Sequence, residues 1–115
     1  MNNIIYHNPN WSKSRKSVEI LQNEGIDFKI IKYIKFPPSI NELKSICEKL
    51  NLKASEIIRK GEKDFKENNL SEIIDDETAL LNKMIQFPKI IERPIIIIGE
   101  KAVIGRPPEN IFDIL

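Results

Sequence analysis

The chain has 115 residues, 30% charged and 41% hydrophobic, a globular balance for one domain large enough to bury its own core. Its 18 basic and 17 acidic residues leave a net charge of +1, without the basic excess of a generic nucleic-acid binder. A single cysteine, Cys47, and a single histidine, His7, exclude an intramolecular disulfide, CxxC redox chemistry and a cysteine-rich zinc site.

Residues 3–6 are a short apolar run and predict a strand. Asn8-Pro9 marks a turn. A helix is expected over 12–24, with Val18 and Leu21 facing inward and Gly25 placed to stop it. Asp27 to Tyr33 reads as a second strand, apolar in part on both faces through Phe28, Ile30, Ile31 and Tyr33. Strand, helix and strand in this order make a βαβ unit with parallel strands.

Pro37-Pro38 opens a different region. Ser39 and Glu42 have the spacing of a capping box. Ile40, Leu43, Cys47 and Leu50 then recur at intervals that share one helix face. Leu52 to Arg59 and Asp64 to Ile73 are expected as short helices. A further helix starts at Asp75 or Asp76, turns Leu80, Leu81, Met84 and Ile85 inward, and ends at Phe87-Pro88. Residues 39–92 therefore read as an all-helical insertion within a single domain.

Ile95 to Ile98 is apolar on both faces, as a central strand requires. Gly99-Glu100 suits a type II′ hairpin turn, with Lys101 to Ile104 returning antiparallel. A last short helix ends near Leu115. The fold class is α/β, a four-stranded mixed sheet in the order βαβ, helices, ββα. No run of the chain approaches the ~18 apolar residues of a membrane span. The N-terminus lacks the basic start and apolar stretch of a secretory signal. A cytoplasmic protein with neither membrane nor nucleic acid as partner is expected, with no metal site and no bound cofactor.

The first functional candidate is the loop before the first helix. A helix N-terminus beside Lys13 and Arg15 is a ready place for an anion. Trp11, the only tryptophan, lies between the loop residues Asn10 and Ser12. That placement predicts an indole at the anion site rather than in the core, either stacked on an arginine or swung outward to leave the site open. Cys47 falls on the apolar face of its helix and reads as a buried small hydrophobe.

Six local motifs occur in order along the chain. They are Tyr6-His7-Asn8-Pro9 with Ser12-Lys13-Ser14-Arg15, Tyr33 followed by Pro37-Pro38-Ser39, Glu42-Leu43, Ile58-Arg59-Lys60, Glu92-Arg93-Pro94-Ile95 and Gly105-Arg106-Pro107. With the element order, they resemble the glutaredoxin-dependent arsenate reductase family, a thioredoxin-like fold with a helical insertion, over essentially the whole chain. The resemblance implies a thiolate at the start of the first helix that attacks arsenate. Glutathione, as co-substrate, and glutaredoxin then carry the reduction to arsenite. It places three oxyanion-binding arginines at Arg59, Arg93 and Arg106, whose guanidinium forks suit paired oxygens. It makes His7 the histidine that lowers the thiol pKa by charge or hydrogen bond. Ser14 becomes the serine that donates to the thiolate, and Pro94 the cis proline. The nucleophile position holds Trp11, which has no thiol. The resemblance therefore implies a family member that lacks the reaction. Two alternatives stand beside it: a non-catalytic oxyanion- or glutathione-binding protein, and a regulatory interaction module.

Overall fold

The computed structural model describes residues 3–115, which form two compact units: the chain up to Phe36 with Arg93–Leu115, and Pro37–Glu92. The first unit holds the sheet. Its strands are β1 (Asn3–Tyr6), β2 (Lys29–Ile31), β3 (Ile95–Ile98) and β4 (Lys101–Ile104), in spatial order β2-β1-β3-β4. β1 and β2 are parallel, as the βαβ reading requires, and β3 pairs antiparallel with both β1 and β4. The four consecutive isoleucines of β3 suit an interior strand, because β-branched side chains pack well on both faces of a pleated surface. Gly99 takes a positive φ of 61° at the β3–β4 turn, as the type II′ reading needs.

Helix α1 (Ser12–Asn23) and a 3-10 helix at Pro108–Ile114 pack together beside the sheet. Register aligns Ile30, Ile5, Ile96 and Val103 in one row across the four strands. Ile5 and Ile96 of that row join Ile20, Leu21, Ile111 and Ile114 in the core. Gly25 ends α1 as expected: its φ is +69°, its N–H reaches Gln22 C=O at 3.0 Å, and Ile26 N–H reaches Leu21 C=O at 3.2 Å. The inner face of α1 differs from the expected one. Ile20 and Leu21 carry the apolar contact, Val18 is half-buried, and Ser14 and Ser17 are fully buried. Ser17 Oγ–H donates to Lys13 C=O at 2.9 Å, which satisfies it inside the helix.

The second strand is shorter than its apolar alternation suggested. It spans Lys29–Ile31 rather than Asp27 to Tyr33, and Tyr33 lies buried in the turn that follows. β2 is an edge strand with one neighbour, so pairing ends where β1 ends.

In the second unit, α2 (Ile40–Leu50) opens on the capping box. Glu42 N–H donates to Ser39 Oγ and Ser39 N–H to Glu42 Oε1, both at 3.1 Å. Leu43, Ile46 and Cys47 form its buried face; Ile40 and Leu50 are half-buried. Helix α4 (Glu77–Gln86) is capped by Asp76, whose carboxylate accepts from Ala79 N–H at 3.1 Å, and it stops at Phe87-Pro88. Between these helices the structure departs from the expected segments. Leu52 to Arg59 gives only a 3-10 helix at Ala54–Ile57, and Asp64 to Ile73 divides into α3 (Lys63–Glu67) and a 3-10 turn at Leu70–Ile73. Ile58 forms an antiparallel bridge with Ile91 instead of a helical turn. Both are buried, and the residues flanking them carry the bridge's hydrogen bonds: Arg59 N–H reaches Ile90 C=O at 2.6 Å and Glu92 N–H reaches Ile57 C=O at 2.8 Å. Among the described residues no helix is long and apolar enough to cross a membrane.

Candidate functional site

The loop from β1 to α1 is set by its own polar groups. Asn8 Oδ1 accepts from Asn10 N–H at 2.9 Å, and Trp11 N–H donates to Asn8 C=O at 3.1 Å. Arg15 donates to Pro9 C=O at 2.9 Å, which fixes the outer wall of the turn. Trp11 occupies the N-cap position in extended conformation and places no side-chain acceptor over the first turn. No acidic residue stands in that turn either, so the positive end of α1 meets no carboxylate of its own.

A cavity of about 300 Å³ opens there, lined by Asn10, Trp11, Ser12, Lys13, Ser14, Arg93, Pro94 and Arg106. No carboxylate lines it. Arg93 lays its guanidinium over the indole, with Cζ 3.2 Å from the ring centroid of Trp11. Tyr33 lies on the same tryptophan, centroids 6.3 Å apart and planes tilted by 50°. Trp11 is half-buried at the cavity wall, so the indole is neither core nor freely exposed. Of the sequence-predicted residues, the structure thus brings Trp11, Ser14, Arg93 and Arg106 to one cavity.

Two X-Pro bonds build the arginine side of this cavity. Arg93-Pro94 is cis, as expected, and Arg106-Pro107 is cis as well, which the sequence reading did not include. Gly105 N–H donates to Pro94 C=O at 2.8 Å and ties the two segments together. In the sequence Gly105 belongs to the Gly105-Arg106-Pro107 motif and to the turn before the last helix. A Cβ on it would meet Pro94 Cγ and Ser17 Oγ at 2.8 Å and Ile96 Cδ1 at 2.9 Å, so α1, β3 and the proline turn approach closely only because this residue has no side chain.

His7 is buried at the end of β1, and its Nδ1 is 2.5 Å from Ser14 Oγ. Ser14 Oγ also accepts from Asn8 N–H at 3.0 Å. Burial holds the His7 pKa below its ordinary value, and the charges of Lys32 and Arg15 lower it further. Of the two contributions expected of His7, charge or hydrogen bond, the lowered pKa favours the hydrogen bond. The lowered pKa favours the uncharged imidazole, which a hydrogen bond joins to the first turn of α1. Ser14, between His7 and the Asn8 amide, holds the loop to the helix.

Arg59 belongs to the helical unit. Its guanidinium is 3.7 Å from Glu62 and 3.9 Å from Glu92, the latter neighbour produced by the Ile58–Ile91 bridge. Cys47 is buried in the same unit, beside a cavity of about 510 Å³ that Glu48 and Glu77 also line. Burial, with Glu77 and Glu48 nearby, pushes its thiol pKa up to about 11. A thiol so placed stays protonated and unreactive at neutral pH. Among the described residues no group of three or more His, Cys, Asp or Glu side chains could hold a metal ion.

The order of elements, the cis proline and the basic cavity at the start of α1 agree with a match of the ArsC family model to residues 6–114. The chain belongs to the ArsC family. It is 40% identical over 116 residues to an arsenate reductase of Haemophilus influenzae, covering all of both chains. An arsenate reductase of Neisseria meningitidis serogroup A is 39% identical, with 96% of each chain covered. Among solved structures, the arsenate reductase from Vibrio cholerae matches with a TM-score of 0.94 and 41% identity, over 100% of this chain and 98% of the other. The thioredoxin-like fold of the ArsC family is thus the fold of this chain.

Proposed function

We propose that this chain is an ArsC family protein that keeps the oxyanion pocket of an arsenate reductase and lacks the thiol that would bond to arsenic. The observation that carries this reading is the Arg93 guanidinium 3.2 Å over the Trp11 ring, at the N-terminus of α1. In the resemblance that position belongs to the nucleophilic cysteine. An indole has no lone pair or ionisable proton equivalent to a thiolate, so the covalent step with arsenate has no starting atom. The one cysteine of the chain, Cys47, is a buried, protonated thiol on the apolar face of α2.

What remains is a recognition site. Lys13, Arg93, Arg106 and the uncapped first turn of α1 supply positive charge and N–H donors around a cavity suited to a small ligand. The ligand of this reading is a tetrahedral oxyanion of the arsenate, phosphate and sulfate type. Arg59, the third arginine of the resemblance, is carried by the helical unit, where its guanidinium lies 3.7 Å from Glu62 and 3.9 Å from Glu92. His7 and Ser14 hold the loop in place. Glutathione as co-substrate and glutaredoxin as partner belong to the family reaction, which this chain, set in the cytoplasm, does not complete.

The test measures arsenate reduction with glutathione and glutaredoxin, alongside thermal stability in phosphate. Turnover stays at the level of a control without the protein. Phosphate at about a hundredfold its Kd stabilises the chain by about 2.7 kcal/mol, and Arg93→Ala with Arg106→Ala removes that gain. Turnover abolished by Cys47→Ala would identify a different nucleophile. A phosphate effect untouched by the arginine changes would overturn the pocket.

A further inference from the structure

We propose that the free edge of β2 receives an extended, acidic segment of a partner protein as a fifth strand of the sheet. β2 has β1 on one side and nothing on the other among the described residues. Its last residue faces inward, because Ile31 C=O accepts from His7 N–H at 2.8 Å. Successive residues of a strand alternate in direction, so the N–H and C=O of Ile30 point away from β1 and offer one donor and one acceptor at the sheet edge.

The surroundings of that edge are basic and apolar together. Lys29, Lys32 and Lys35 are exposed, and among the described residues none forms a salt bridge. No carboxylate occurs in the sequence between Asp27 and Glu42. Ile30 is 43% exposed and Phe36 67% exposed, the largest exposure among the big apolar side chains described. Phe36 N–H donates to Lys32 C=O at 3.0 Å, which keeps this phenylalanine one turn from the end of β2.

These features select the occupant. A second copy of the chain is disfavoured, because pairing two β2 edges would bring their lysines together. A strand with alternating carboxylates and β-branched residues meets the lysines with opposite charge, Ile30 with an apolar side chain, and the Ile30 backbone with its own N–H and C=O. A nucleic acid would use the lysines alone and an anionic membrane the lysines with the exposed apolar side chains, and either would leave the Ile30 backbone N–H and C=O without a role. The edge reading is independent of the anion pocket.

The test uses the full chain labelled with nitrogen-15 and a synthetic peptide of alternating valine and glutamate. Addition of the peptide shifts the amide signals of residues 29–36, and slows exchange of the Ile30 amide by about tenfold or more. A lysine version of the peptide, and an acidic version interrupted by proline, bind about tenfold more weakly or less, since one repels and the other cannot extend a ladder. Lys29→Glu with Lys35→Glu weakens the acidic peptide by a similar factor, and Lys29→Gln with Lys35→Gln does so to a smaller extent. The proposal is overturned if millimolar acidic peptide leaves residues 29–36 unmoved. It is overturned equally if the proline-interrupted peptide or a single-stranded oligonucleotide binds as well as the acidic strand.

Discussion

Replacing Gly105 by alanine tests the packing that brings the two arginine turns to α1. The added Cβ would lie 2.8 Å from Pro94 Cγ, 2.8 Å from Ser17 Oγ and 2.9 Å from Ile96 Cδ1. Each distance is about half an ångström or more short of ordinary carbon contact at ~3.5 Å. None of the three neighbours is free to retreat. Pro94 is buried and carries the 2.8 Å bond from Gly105 N–H, Ser17 Oγ is bonded to Lys13 C=O, and Ile96 is 0% exposed. The φ of Gly105 lies outside the left-handed region, so the cost is steric rather than conformational. Overpacking of this kind costs about 2–3 kcal/mol. For a domain of this size that lowers Tm by about 6–15 °C. Urea denaturation should show a lower midpoint at unchanged slope. In a Ser17→Ala background, where one of the three obstacles is gone, the cost should fall by about 0.5–1 kcal/mol. A loss under about 0.5 kcal/mol, or a cost that ignores Ser17, would refute the close approach as the reason for glycine.

Three further outcomes follow from the site. A double-mutant cycle of Trp11→Ala and Arg93→Ala should give a coupling of about 0.5–2 kcal/mol in urea denaturation, and additivity would dissolve the stack. The His7 pKa is depressed in the folded state, so the unfolded chain takes up a proton first as pH falls. The His7 contribution is complete above the ordinary value of about 6.5 and is lost as pH falls from there through the lower folded pKa. Denaturation midpoints between pH 7.5 and 5.5 should decline more steeply for the native chain than for His7→Gln, and parallel slopes would contradict a buried neutral imidazole. Trp11→Cys, made with Cys47→Ala, should give a thiol whose pH-dependent alkylation reports a pKa below the free value of ~8.5, because Lys13, Arg93 and Arg106 line the same cavity. A value at or above ~8.5 would contradict an electropositive helix start.

The sequence by itself determined the features that rest on local chemistry. The Ser39–Glu42 capping box, an aspartate cap at Asp75 or Asp76, the stop at Gly25 and the positive φ of Gly99 each depend on residues a few positions apart, and all stand in the structure, with Asp76 as the cap. The parallel pairing of β1 with β2 and the interior place of Ile95–Ile98 followed from element order and from a run apolar on both faces. The tryptophan at the start of α1 and the lone cysteine on a helical apolar face were equally legible, because both are matters of identity and register. Tertiary structure decided what depends on partners distant in the chain. β2 ends early because β1 ends, Ile58 leaves the helical pattern because Ile91 offers a ladder, and Ser14 is buried where its hydroxyl meets His7 and the Asn8 amide. The His7 pKa is lowered because the fold buries it and brings Lys32 and Arg15 near it. Gly105 must be glycine because three separate segments of the chain meet at its α-carbon. Propensity and spacing are properties of neighbours along the chain, whereas burial, charge environment and close approach are properties of neighbours in space.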